Sequence, residues 1–298
     1  RFSSRDIAVV SPFDIPMNDV MPVPPISSDP PLHTWARRLL LPAFGPSAID
    51  AMTPITRGLA NSLIDEHFGD GDGDTAADYA QHIPVRVIAQ MIGIPFEDES
   101  LFTSWVAVAE RRQMAPSTRP DDIITMLIEA ETDEPITDQH LLGTCFLLLI
   151  AGIDTTWSNI GSSLLHLATH PEDQQRLRDQ PELIPTAVEE FLRAYSPVTM
   201  ARYVTKDTEF SGCPMKEGDK ILMAFPAGNH DPEMFDQPDQ VLIDRAKNRH
   251  FAFGSGIHRC LGSNLARMEI RVAVETFLER LPTFELADPS AVRWNGGQ

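Results

Sequence analysis

Apolar residues recur at helical spacing along most of this chain and alternate over only a few short stretches. A helix is expected to start near Leu32, where His33 and Arg37 fall on one face four positions apart. The pattern from Pro46 to Phe68 is again helical and stops at the turn sequence Gly69-Asp-Gly-Asp-Gly-Asp74. Pro84 in a first turn, Val85, Ile88 and Ile92 at helical spacing, and Gly93 at the stop predict another short helix. Helical spacing resumes over Ser100 to Arg111, Asp121 to Ala130, the apolar run from Thr137, Pro185 to Ala194, and Leu261 to Leu281. Strand pattern is confined to Arg202 to Thr205, Glu209 to Ser211 and Lys220 to Phe225, the last two expected to face each other across a glycine-containing turn. The stretch up to Pro31, with Pro22, Pro24 and Pro25, reads as irregular loop. No repeat or linker interrupts the series, so the expectation is one domain, mainly α with a minor β-sheet.

Composition narrows the class. The 298 residues are 42% hydrophobic and 22% charged, as in a globular protein. The longest apolar run, Leu141 to Ile153, is broken by Gly143 and Thr144 and reads as a buried helix, not a membrane span. Three widely spaced cysteines do not make a disulfide framework, which fits a reducing, cytoplasmic location. A formal charge of −19 argues against nucleic acid or an anionic membrane as partner. Positions 245–271 run against this trend: Arg245, Lys247, Arg249, Arg259, Arg267 and Arg271 stand against a single acid, Glu269. A cationic patch there would receive an acidic redox protein. The acids of 69–74 lack the Gly and Glu positions of a calcium loop and read as a solvated turn.

The main chemical signal is Phe253-Gly-Ser-Gly-Ile-His-Arg-Cys260-Leu-Gly262, followed at once by a helix. Gly254, Gly256 and Gly262 permit positive φ or close approach of the backbone to a bulky group. The N–H groups of the first helical turn point at the sulfur, and with His258 and Arg259 adjacent the Cys260 thiol is expected to have a lowered pKa, suited to a ligand or a nucleophile. A core cysteine needs neither three loop glycines nor two flanking cations. A zinc site would want further Cys or His at ligand spacing, and Cys145 and Cys213 stand alone. The Walker spacing of a phosphate loop is absent.

A second anomaly sits in the apolar helix, at Ala151-Gly152-Ile153-Asp154-Thr155-Thr156. A carboxylate beside a hydroxyl near a buried run is costly unless something uses or satisfies it. Gly152 costs the helix about 1 kcal/mol relative to Ala and removes bulk where a ligand could press on the backbone. Thr155 can hydrogen-bond its own helix and open the ladder locally.

These strings together resemble the cytochrome P450 family, the haem-thiolate monooxygenases of the bacterial type. Phe253, Gly256, His258, Cys260 and Gly262 fall on positions of its cysteine-loop motif, Asp154 and Thr155 on its distal-helix acid and alcohol, and Glu190-Phe-Leu-Arg193 with Arg245 on its structural Glu-x-x-Arg network. The resemblance implies haem b with Cys260 as axial thiolate and metal ligand, and Asp154 and Thr155 as catalytic proton carriers. It implies a cofactor-binding set of His33, Arg37, Ala151, Arg202, Phe253, Gly254, His258, Cys260 and Gly262, in which His33, Arg37, Arg202 and His258 hold the propionates. Ile150, Ala151, Val198, Thr199 and Met200 would face an apolar substrate. The implied reaction inserts one atom of dioxygen into a C–H bond, with electrons from a ferredoxin- or flavodoxin-type donor docking near 245–271.

The chain departs from the family by being short. The N-terminal sheet, the lid helices expected between Trp105 and Pro120 and the C-terminal hairpin are missing, so a single haem-binding domain over 1–298 reads as incomplete at both ends and around 105–120. The lid is read as omitted, since every catalytic motif is kept and a roofless pocket would admit water to the reacting centre. Three other readings remain: a peroxide-driven haem-thiolate enzyme, against which the acid–alcohol pair speaks; a cysteine-nucleophile hydrolase with His258 as base, which leaves the Asp-Thr helix and the propionate set unexplained; and a non-catalytic haem sensor.

Overall fold

Each helix expected from the pattern forms, and most have an identifiable start or stop. The computed structural model describes residues 2–5, 22–95, 101–132 and 135–293. Helix α1 (Leu32–Leu40) buries His33, Ala36 and Leu40 on one stripe. Helix α2 (Pro46–His67) opens with Pro at N1, where the missing N–H costs nothing. The acidic turn after it works as a cap: the Asp74 carboxylate accepts the N–H groups of Ala76 and Ala77 at 2.9 and 3.1 Å and starts a wide helical turn, Thr75–Ala80. Helix α3 (His82–Ile92) starts two residues before Pro84 and ends at Gly93, whose φ of +93° closes it. Helix α4 (Leu101–Gln113) and the short α5 (Ile123–Ile128) are stitched together by Arg111. Its guanidinium, 7% exposed, pairs with Asp122 and donates to Thr125 Oγ1 at 2.8 Å, while Asp122 also caps α5 through Thr125 N–H at 2.8 Å.

Helix α6 (Asp138–Thr169) has 32 residues, capped by Thr137 Oγ1 on the His140 N–H at 3.3 Å. By length and composition alone it could span a bilayer. Its packing makes it a core helix instead: Leu141, Cys145 and Leu148 enter one apolar cluster with Ile88, Ile92 and Met268, and Ile160, Leu164 and Leu167 enter a second with Phe191, Ile270 and Phe277. Phe191 and Phe277 are at most 1% exposed, and burial of each contributes ~1.5–3 kcal/mol. Gly152 is explained here. A Cβ at that position would lie 3.3 Å from Ile88 Cγ1, so the glycine eases the packing of α3 on α6, and it also lines a large cavity.

Helix α7 (Pro171–Asp179) was not expected from the pattern. Its sequence is almost wholly polar, with Leu177 the one apolar side chain, so it has no apolar stripe to read. Helix α8 (Ile184–Ala194) follows. The sheet is antiparallel and three-stranded, in the order β1 (Phe2–Ser3), β2 (Met200–Val204), β5 (Lys220–Met223), with Phe2 opposite Val204 and Arg202 opposite Ile221. The expected pairing of 209–211 with 220–225 does not occur. Ser211 and Gly212 take φ of +50° and +80°, which is the geometry of a two-residue hairpin turn, so β3 (Thr208–Phe210) pairs with β4 (Cys213–Met215) instead. Pro214 inside β4 had disguised that strand. A short α9 (Phe225–Asn229) and α10 (Ser263–Arg280) complete the described elements. Helices α6 and α10 both run through the two apolar clusters.

Candidate active site

The cysteine loop is tied by its own backbone. Gly254 N–H donates to Phe251 O at 2.8 Å, Cys260 N–H to Phe253 O at 2.8 Å and Arg259 N–H to Gly256 O at 3.1 Å. Gly254 and Gly256 stand at φ of +62° and +71°, positions a side chain rarely tolerates. Gly262 differs from expectation: its φ is −79°, and it serves as the N-cap of α10, with its N–H bonded to the sulfur and its Cα side 4.0 Å from Cys260 Sγ for any added Cβ. The thiol opens on a large cavity yet is packed round by protein atoms. That enclosure raises its pKa and outweighs the Gly262 N–H and the charges of Arg37, Arg259 and Arg267, which lower it. The sequence expectation of a net lowered thiol is therefore corrected for the protein alone. Dipole and cations act in the expected direction, but burial wins.

The cavity, about 4180 Å³, is several times the ~300–1,000 Å³ of an ordinary small-ligand site. Ile150, Ala151, Asp154 and Thr155 of α6 line it, as do Val198, Thr199 and Met200. Ile150 is 47% exposed although its helix is a core element, because that face looks into the opening. Thr155 Oγ1 donates back to Ala151 O at 2.9 Å, the local ladder contact the sequence suggested.

Arg37, Arg202 and His258 reach the same cavity from α1, β2 and the cysteine loop. His33 does not line it. Its ring lies behind His258, with centroids 4.2 Å apart, and is 3% exposed with neither nitrogen hydrogen-bonded in normal geometry. Burial, and then the positive charge of neighbouring groups, depresses both imidazoles: His33 beside Arg37, and His258 beside His33 and Arg202, the latter down to about 4. Asp29, on the same edge, is disfavoured as a charge by burial, yet hydrogen bonds from Ser3 and Ser4 and the charge of His258 hold it below the usual carboxylate range.

Behind the loop, Glu190 and Arg193 of α8 are fully buried and form a two-point ion pair at 2.9 Å for each contact, joined by Arg245 Nε at 2.9 Å. Arg193 donates further to the carbonyls of Asn229, Pro238 and Gln240 at 2.8, 2.7 and 2.8 Å, and Asn248 Nδ2 reaches Glu190 at 3.1 Å. Asn229 in turn accepts Phe251 N–H at 2.6 Å. The network thus pins the segment that delivers the cysteine loop. The stretch Asn229-His-Asp-Pro232 resembles family sequence, but the part that Asn229 plays in the network, like that of Asn248, has no signal in the sequence.

A second clamp was also missed. Glu189 takes Arg267 Nε and NH2 at 2.5 and 2.8 Å and His250 Nε2 at 3.0 Å, while the Arg267 guanidinium stacks 4.5 Å from the Phe253 ring centroid. Burial opposes the charge on Glu189, but the hydrogen bonds from Arg267 and His250 hold its carboxyl down at about 2. Its stabilising contribution is therefore complete above the ordinary value of 4.5 and is lost as pH falls from there to about 2. Glu189→Gln is expected to cost about 1–3 kcal/mol near neutrality. The gap to the parent protein should close over that acid window in urea unfolding curves taken at stepped pH, and a gap independent of pH would contradict the assignment.

These pairings revise the cationic patch. Arg245 is buried in the network, Arg267 is held by Glu189, and Arg271 lies 3.7 Å from Glu275. Lys247, Arg249 and Arg259 remain exposed. Glu269, counted as the acid within the patch, is 1% exposed with neither oxygen hydrogen-bonded, and burial drives its pKa well up.

A cysteine at a helix N-terminus, a cation-edged cavity and an acid–alcohol pair on a long core helix define a haem-thiolate protein. The model for "Cytochrome P450" matches residues 102–182 and 178–291, and the chain belongs to that family. It is 34% identical to the mycinamicin IV hydroxylase/epoxidase of Micromonospora griseorubida, over 91% of this chain and 76% of that one. A mutant of the mixed-function P450 MycG with mycinamicin V superposes with a TM-score of 0.85 at 31% identity, covering 99% of this chain and 82% of that one. P450BioI, solved with an acyl carrier protein bearing hexadec-9Z-enoic acid, gives 0.82 at 31% identity, covering 88% and 76%. The protein is accordingly a monooxygenase that uses haem b with a cysteine thiolate as axial ligand, together with a substrate, dioxygen and a redox partner. The residues present fit such a group. The cavity that holds the Cys260 thiol is also lined by Arg37, Arg202 and His258, a donor set suited to a group with a metal to ligate and carboxylates to receive.

Proposed function

We propose that this chain hydroxylates an apolar organic substrate, with Cys260 as the thiolate ligand and Asp154 and Thr155 as the proton-handling pair. The observation that carries this is that Cys260, Asp154 and Thr155, distant in sequence, line one cavity. The bound haem supplies dioxygen binding and two-electron activation. Arg37, Arg202 and His258, which line the cavity, would hold its propionates, His33 backs His258, and Phe253, Gly254 and Gly262 shape the cysteine loop. Thr155 donates its hydroxyl proton to Ala151 O; turned into the cavity, the hydroxyl would offer that proton to an oxygen there, and Asp154 on the adjacent position would take up a proton from solvent and pass it to Thr155. Ile150, Ala151, Val198, Thr199 and Met200 exclude water and present small or apolar surface to the substrate.

Electrons come from a ferredoxin- or flavodoxin-type donor meeting the face near 245–271, where Lys247, Arg249 and Arg259 are exposed. Residues 1–298 act as one haem-binding domain, a reading supported by α6 and α10 running through both apolar clusters. A cytoplasmic location, with neither membrane nor nucleic acid as partner, accords with three free cysteines and the acidic chain.

The test is a reduced carbon monoxide difference spectrum on the hemin-loaded protein, followed by turnover of Thr155→Ala with a screened apolar substrate. The variant should keep the thiolate-type spectrum while product per electron pair drops about tenfold or more and peroxide accumulates. Unchanged coupling would remove Thr155 from the proton path.

A further inference from the structure

The edge of the cavity that carries Arg202 and His258 contains two residues with no role so far. Strand β1 lies against β2, and its last residue, Ser3, and the following Ser4 are 8% and 1% exposed. Both are held by one carboxylate: Ser4 N–H donates to Asp29 Oδ1 at 3.0 Å and the Ser3 hydroxyl donates to Asp29 Oδ2. Arg5 N–H closes the turn onto Ser3 Oγ at 3.0 Å. The clamp leaves Ser4 Oγ 3.0 Å from His258 Nε2, joining residues at opposite ends of the chain. On its other side His258 is confined by the His33 ring, tilted by 58° at 4.2 Å. Asp29 O also accepts the His33 N–H at 3.1 Å, so one residue fixes both the start of α1, which bears His33 and Arg37, and the strand end that bears Ser4. Ser4, Asp29, Arg37, Arg202 and His258 all line the cavity.

A partly buried carboxylate near Arg202 would ordinarily be expected to bond the arginine directly. Here its two oxygens accept from Ser3 and Ser4 instead, so its hydrogen-bonding capacity is directed to placing a backbone segment. The segment's one outward product is a hydroxyl aimed at an imidazole. Ser4 is 1% exposed and, among the described residues, Nε2 is the partner of its hydroxyl, so the hydroxyl proton is satisfied by donating there, in the tautomer that leaves Nδ1–H as the ring's donor.

We propose that Asp29 and Ser4 form a relay that positions His258: Asp29 seats Ser4, and Ser4 fixes the orientation and tautomer of the imidazole that donates to a carboxylate of the bound macrocycle. This rests on the haem reading given above. Ser4 is a positioning residue, since it acts through His258, and Asp29 acts through Ser4.

Two measurements separate this inference from the reading beneath it. In the apoprotein, nitrogen NMR of the histidine side chains reports the His258 tautomer without any haem. The Nδ1–H form should dominate in the parent, mix with the other tautomer in Ser4→Ala, and return in Ser4→Thr. In the hemin-loaded protein, Ser4→Ala should release hemin to a scavenging apoglobin roughly tenfold faster. It should keep the thiolate-type carbon monoxide band and shift the reduction potential, with Ser4→Thr close to the parent on all counts. Asp29→Asn should reproduce the Ser4→Ala release rate, and the double variant should be no worse than either single, as members of one chain of contacts are non-additive. An unchanged tautomer, or an unchanged release rate and potential in Ser4→Ala, overturns the relay. Failure of the parent to take up hemin overturns the haem reading, and the tautomer still decides the contact.

Discussion

Cys260→Ala is expected to abolish the thiolate-type reduced carbon monoxide spectrum and to lower turnover by on the order of a thousandfold or more, while far-UV circular dichroism shows the same helix content. The separation of effects follows from how the loop is built. Its shape is held by backbone hydrogen bonds at Phe251–Gly254 and Phe253–Cys260 and by two left-handed glycines, none of which uses the sulfur. The thiol opens on the cavity, and its removal frees the Gly262 N–H, which itself faces that opening and so is not left sealed in the core. Hemin should still enter, because Arg37, Arg202, His258 and the apolar face of α6 remain. A retained thiolate spectrum would move the ligand elsewhere, and the structure leaves poor alternatives. Cys145 is fully buried in α6, with burial pushing its thiol up to about 12, and Cys213 sits on the exposed β3–β4 hairpin.

Arg193→Ala is expected to be the most destabilising single substitution of those considered, by about 3–5 kcal/mol. The arginine is fully buried, and its removal strands the Glu190 carboxylate with a reduced set of partners, takes the side-chain donor from the carbonyls of Asn229 and Pro238 and leaves Gln240 O to Arg245. Against a total stability of roughly 5–15 kcal/mol, the protein should lose on the order of 10 °C of thermal midpoint and load hemin poorly, since the segment reaching from Asn229 to Phe251 carries the cysteine loop. Arg193→Lys should restore little, because one ammonium cannot reproduce the fork that grips both Glu190 oxygens. Thermal unfolding of the apoprotein measures this, and a shift of only a degree or two would show the network to be dispensable.

What could be read from the chain in advance was local. The cysteine loop announced itself because glycines, imidazole, guanidinium and thiol stand within ten positions, and the caps and stops of the larger helices are written beside them. The partners Asp29–Ser4, Glu189–Arg267 and Glu190–Asn248 are separated by 25 to 78 positions and have no spacing signature, so only the folded chain brings them to notice. Glu190 and Arg193, three apart, would pass for an ordinary surface pair without the resemblance to a known family. The hairpin was misassigned because Pro214 concealed a strand while the Ser211-Gly212 turn went unweighed. The thiol's electrostatics were misjudged because charges are visible in sequence and burial is not.

Gly152 and Ile150 stand two residues apart on α6 with opposite freedoms. A Cβ at Gly152 would meet Ile88 Cγ1 at 3.3 Å and oblige that side chain to shift, whereas Ile150 already leans into open space with almost half its surface uncovered. If the proposed pocket holds the substrate, natural drift and laboratory redesign have latitude at Ile150. The helix crossing beside it leaves less room.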